Sequence, residues 1–170
     1  MNRFLYIVYI FLIVIVMVPK EKLFFTLESF LSKYHLFING ENLTNRLLYL
    51  DADNGSLLLD NQEIASIGKI QIAPWIVSNH LSISSIIPSP HYRAFFPGKI
   101  DTLVFTYSIL HPLSLELRAQ GDFGQGEGAF DLVNKKVRIV FKATPQLRNY
   151  PLLVFKLHQE KEGLVYESNF

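Results

Sequence analysis

The chain has 170 residues, 49% of them hydrophobic and 18% charged, with no cysteine and a formal net charge of +1. Without cysteine there is no disulfide framework, no thiolate nucleophile and no Cys-ligated metal or cluster. A nearly neutral balance argues against a nucleic-acid surface.

The apolar excess sits at the start. Apart from Asn2 and Arg3, every residue of 1–18 is apolar or tyrosine, and the rest of the chain holds 15 acidic side chains against an equal number of basic ones. Phe4 to Val18 spans roughly 22 Å as a helix at ~1.5 Å per residue, short of a ~30 Å hydrocarbon core, but interfacial Leu23, Phe24 and Phe25 with snorkelling Lys20 and Lys22 extend it. The exit Val-Met-Val-Pro-Lys offers no small residues for a signal-peptide cleavage site. The leader is therefore expected to be an uncleaved single-pass anchor carried by Phe4, Leu5, Ile7, Val8, Ile10, Phe11, Leu12, Ile13, Val14, Ile15, Val16 and Val18, with a cleaved signal or a buried core helix as the alternatives. Arg3 and the α-amino group nearly balance Lys20 and Lys22 across it. Since the short N-terminal tail cannot be a domain, signal-anchor logic sends the C-terminal part across a bacterial inner membrane into the periplasm. The expected units are an anchor (1–19), an amphipathic helix (20–38) and a β-rich domain (39–170).

Between Lys22 and Phe37, Leu23, Leu27, Phe30, Leu31 and Tyr34 fall at helical spacing, with Glu28, Ser29 and Lys33 on the other side, so this helix is expected to pack on its own domain. Beyond Gly40 the period changes to two. Leu47–Leu50 and Ser56–Leu59 flank Asp51-Ala-Asp53-Asn54-Gly55, which reads as a hairpin turn. As a calcium loop it fails, because the glycine falls one position early and Gln62 stands where a bidentate Glu is needed. Strands are expected at Ile64–Ile72, His80–Ile87, Ile100–Ile109, Leu113–Ala119, Glu127–Val133 and Val137–Lys142, with a tight turn at Asn134-Lys135. Leu103–Ile109 reads as apolar on both faces. Leu147–His158 suits a short helix or a strand, and Gly163 turns the chain into a last strand. Spacing this close leaves no room for crossover helices. The fold class is thus mainly β: a curved antiparallel sheet of hairpins and meanders with one N-terminal transmembrane helix and a short amphipathic helix.

No motif carries catalysis. His35, His80, His91, His111 and His158 make no i, i+3 or i, i+4 pair for a metal. The acidic group Asp51, Asp53 and Asp60 sits in a polar stretch. Gly121-Asp-Phe-Gly124-Gln-Gly126-Glu-Gly128 has neither the lysine nor the following helix of a phosphate cradle, so its glycines read as strand-bending residues. No enzyme, cofactor or metal is expected. The loop from Pro88 to Gly98 presents Tyr92, Phe95 and Phe96 as an interface candidate or a plug under the sheet.

Asp53-Asn-Gly-Ser56-Leu-Leu58 resembles the Gly-Thr-Leu-Trp stretch of type II secretion system protein N, and Ile67-Gly-Lys-Ile70-Gln-Ile72-Ala-Pro74 resembles that family's following strand ending in proline. Phe123-Gly-Gln-Gly126-Glu-Gly-Ala-Phe130-Asp-Leu132 and Gly163-Leu-Val-Tyr166 are similar to later repeats of that family and of the broader AsmA-like group. The resemblance implies a membrane-anchored periplasmic sheet protein with an apolar concave face and no catalytic residues. Two functions follow as expectations: a non-catalytic scaffolding or assembly component of an envelope machine (type II secretion-like, or a periplasmic structure of a flagellar motor), or an AsmA-like protein that binds or transports lipid in an apolar groove. The expected partners are other envelope-complex proteins and the inner membrane, with lipid and self-association left open and nucleic acid excluded.

Overall fold

The structure, a computed structural model, describes residues 18–75, 77–93, 98–142, 157–161 and 163–169, with Tyr6, Ile10, Ile13, Pro145, Leu147 and Val154. Tyr6, Ile10 and Ile13 are helical and exposed. The other residues of the expected anchor before Val18 lie outside the described residues, and among the described residues no helix is long and apolar enough to cross a membrane.

Helix α1 (Lys20–Ser32) follows Pro19, whose carbonyl accepts the amides of Lys22 and Leu23. The helical spacing suggests a longer element reaching Phe37. Instead His35, at φ 59°, stops the helix in the left-handed region, and Leu36 and Phe37 start the first strand.

Among the described residues eleven strands form a single sheet, antiparallel at every pairing. They are β1 (Leu36–Asn39), β2 (Asn42–Asn45), β3 (Leu50–Leu59), β4 (Gln62–Pro74), β5 (Ser78–Pro88), β6 (Ile100–Ser108), β7 (Ser114–Gly121), β8 (Gly124–Asp131), β9 (Lys136–Phe141), β10 (His158–Glu160) and β11 (Gly163–Asn169). The spatial order is β1-β3-β4-β5-β6-β7-β8-β9-β11-β10, with β2 also on β3. From β3 to β9 this is a plain meander, as short connections require. Asn134-Lys135 lies in a turn, with Lys135 at φ 51°, and the last strand finds its partners in β9 and β10.

The expected hairpin at Asp51–Gly55 is not one: β3 runs straight through it. The β3–β4 hairpin closes at Asp60-Asn61 instead, both at positive φ (48° and 65°), which is the geometry of a type I′ turn. Asn54 spends its tolerance of the left-handed region (φ 59°) inside the strand. It belongs to a crease crossing the sheet. The break between β1 and β2 at Gly40-Glu41 lies beside it, and the ladders skip Asn54, Gly68, Ser85 and Asp101 on consecutive strands. Ser85 too has a left-handed backbone, φ 55°. On β6 and β7 the crease ends as a register shift between Ile100 and Thr102.

Among the described residues two clusters fill the core. Phe24 of α1 is fully buried with Ile38, Leu50, Ala52, Ile67 and Ile70. Phe123, Phe141 and Leu147 form the other, flanked by Ile139, Leu164 and Tyr166.

Candidate functional site: an apolar groove

The crease decides where side chains point. In a regular strand, residues three apart face opposite sides. Here Ile67 and Ile70, Ile83 and Ile86, and Ile100 and Leu103 all line one groove, because each pair straddles a crease position that reverses the alternation. Leu36 and Ile38 of β1, Leu57 of β3, Ile72 of β4, Leu81 of β5, Phe105 and Tyr107 of β6 and Leu115 of β7 also line the strand side. Helix α1 supplies the other wall through Leu23, Leu27, Phe30 and Leu31, so the helix packs on its own domain while Leu23 and Phe30 keep partly exposed surfaces over the opening. The groove encloses about 760 Å³, within the range of small-molecule sites.

Polar groups gather at one end, where Asn79 and Tyr107 meet Pro74 and His80 borders the rim. The His80 ring is held by Ser78 Oγ at 3.0 Å and Thr106 Oγ1 at 3.2 Å. Those partners belong to the opposite, polar face, where Thr106 pairs with Glu116 of β7. The expectation that Leu103–Ile109 is greasy on both sides is thus corrected. Leu103, Phe105 and Tyr107 face the groove, whereas Thr106 and Ser108 line a small polar pocket with His111, Ser114 and Glu116.

A larger depression of about 1120 Å³ lies on the polar face between β7 and β11. Two of its charged groups engage each other, with Arg138 Nε 3.2 Å from Glu167, and the same guanidinium lies on Glu160. At its edge His158 and Glu160, at an i, i+2 strand spacing that a search for helical pairs misses, bring ligand-type atoms together with Glu167, but Arg138 occupies both carboxylates. This is an exposed ion-pair network.

Among the acidic candidates, Asp51 is buried (3% exposed) and bound by Lys69 Nζ and Gln71 Nε2, each at 2.9 Å. Its hydrogen bond raises the Lys69 ammonium above its ordinary value. Asp60 stands with His35 on the surface, 3.4 Å away. The glycine-rich run is the β7–β8 hairpin, with its glycines in strands or beside the turn. A Cβ on Gly126 would meet the Phe141 ring at 3.0 Å, so that glycine lets an aromatic ring lie on the sheet. Tyr92 lies in a 3₁₀ turn, half-buried, and donates its hydroxyl to Gln62 Oε1 at 2.9 Å, while Phe95 and Phe96 lie outside the described residues.

No protein-family model, curated protein or solved structure matches the chain.

Proposed function

We propose that this is a non-catalytic lipid-binding protein, anchored to the inner membrane of a bacterium with its sheet in the periplasm, whose groove takes a lipid acyl chain. One observation carries this reading: a groove of about 760 Å³ whose lining is apolar but for a few groups at one end. A water-filled cavity of that chemistry is unfavourable, and a chain with one polar end matches its gradient. From Ile100 to Tyr107 the floor runs about 23 Å at ~3.3 Å per residue, longer than the ~15 Å of a single leaflet's chains. The resemblance to the AsmA-like group points the same way.

The scaffolding reading draws on the open edges of the sheet, but β1 and β2 are four residues each and β10 is three, His158-Gln-Glu160, all exposed. Edges this short, one of them carrying Glu160, offer little ladder for strand addition, so the groove is preferred.

Strand alternation provides the test. A photo-crosslinking amino acid at Leu103, on the groove side, is expected to capture lipid in cells, and the same amino acid at Thr106, on the polar side, is not. Protein adducts at position 103 in place of lipid would favour the scaffold, and equal lipid capture at both positions would remove the groove as the cause.

A further inference from the structure

In an antiparallel meander alternate turns lie at the same end of the sheet. One such end holds the β2–β3, β4–β5, β6–β7 and β8–β9 turns, and it is unusually greasy. Leu47 is 66% exposed, Leu110 71%, Leu113 60% and Val133 61%, with Trp75 and Val77 at 42% each. Backbone bonds join neighbouring turns into a row: Ile109 N–H donates to the Val77 carbonyl at 3.1 Å, and Leu132 N–H to the Leu113 carbonyl at 3.0 Å. At the opposite end, among the described residues, the β3–β4 and β7–β8 turns carry Asp60-Asn61 and Asp122, Phe123 is folded inward (2% exposed), and Tyr92 of the β5–β6 connection is tied to Gln62.

Two further observations name what covers the row. Helix α1 begins at this end, since Glu21 Oε1 accepts from Asn45 Nδ2 at 3.2 Å beside the β2–β3 turn. The uncharged stretch Phe4–Val18 therefore joins the domain here, through Val18 and Pro19. Exposed basic residues Lys22, Arg46, Lys135 and Lys136 border the apolar tips, while the Asp131 carboxylate between them is taken up by the Val133 and Asn134 amides at 2.9 Å each. Apolar and Trp side chains ringed by lysine and arginine suit the interface of an anionic bilayer.

We infer that these hairpin tips rest on and dip into the surface of a lipid bilayer, holding the sheet upright with its strands running away from the membrane. The inference does not depend on what the groove holds. It also places the polar end of the groove, at Pro74, Asn79 and Tyr107, beside the bilayer.

Trp75 is the chain's single tryptophan, so its emission reports this surface directly. The full chain is reconstituted into phosphatidylethanolamine–phosphatidylglycerol vesicles whose acyl chains carry bromine. The expected result is a blue-shifted Trp75 emission quenched by the brominated lipid. Leu110→Glu with Leu113→Glu, both at exposed positions, should lose most of that quenching while the far-UV circular dichroism of the sheet is unchanged. A reporter at the far end, Asn61→Trp in a Trp75→Phe background, should stay unquenched. Trp75 emission that is unquenched, or blue-shifted without quenching as in contact with a second protein copy, overturns the inference, as does equal quenching of the Asn61→Trp reporter.

Discussion

Between β3 and β6 the apolar face of the sheet is creased and roofed by α1, and a cavity remains beneath the roof. Between β7 and β11 the same face carries Ala119, Gly126 and Gly128 in register with Phe141 and Ile139, and the Phe123 and Phe141 rings lie on it edge to face, centroids 5.8 Å apart. Small residues let a side-chain layer close onto the backbone, whereas branched residues under a helix hold the layers apart. One sheet thus has a half closed by aromatic rings lying on the strands and a half where, beside the cluster around Phe24, a cavity remains between strand and helix.

Gly128→Val should break the closed half most severely. A Cβ there would lie 2.4 Å from the Arg138 carbonyl oxygen and 2.9 Å from Ile139 Cα, backbone atoms that cannot move aside singly. A loss of about 3 kcal/mol in urea unfolding is expected, the upper range of overpacking. By contrast, Leu103→Val, which trims a wall of an existing cavity, should cost under about 1 kcal/mol. Equal costs would mean that the two halves are packed alike.

The crease is tested by Asn54, where φ is 59°. Asn54→Val is expected to lose about 2 kcal/mol, because a β-branched residue fits the left-handed region poorly, whereas Asn54→Gly should be neutral within about 0.5 kcal/mol. If valine is tolerated, the reversal of facing that builds the groove is not held by this position.

Much of the meander is legible in the sequence, because half-buried strands alternate and turns use Gly, Asn and Asp. Strands expected at Ile64–Ile72 and His80–Ile87 lie within β4 and β5, and Val137–Lys142 overlaps β9. The groove is less legible. The spacing Ile67-x-x-Ile70, repeated as Ile83-x-x-Ile86, breaks strict alternation, and its recurrence on adjacent strands is the signal of a crease. Reading it needs the strand register, which is a long-range property. Asn54-Gly55 misleads for a related reason: left-handed tolerance serves a turn or a crease equally, and the choice is made by Asp60-Asn61 closing the hairpin first. The greasy end is hidden as well, because Leu47, Trp75, Leu110 and Val133 come together only when alternate turns are stacked.

At that end, Asp131 ties the β8–β9 turn. The Asn134 backbone amide, then its side-chain amide, and the Val133 amide hold its carboxyl below the usual carboxylate value of 3.8. A depressed folded pKa contributes stability above the unfolded value, and the contribution is lost as pH falls through the folded one. Asp131→Ala should therefore be less stable than the parent chain near neutrality, and the gap should close as unfolding is measured toward pH 2. A gap that persists there would assign the effect to packing of the turn.

The smallest effect sits where helix and crease meet. Glu28 of α1 has its pKa raised above 4.5, first by desolvation and then by the charge of Glu41, which occupies the break between β1 and β2. A raised carboxyl pKa means that the ionised form is disfavoured in the folded state, so the cost is absent below pH 4.5 and present once pH rises past the folded value. Glu28→Gln is expected to stabilise the chain at pH 7 by about 0.3 kcal/mol, the scale of a partly exposed pair, and to have no effect near pH 3. Glu41→Gln should recover only the Coulombic part, a smaller gain than Glu28→Gln. If the two substitutions instead gave equal gains that did not add in the double variant, repulsion across the crease, rather than burial under the helix, would be the dominant cause.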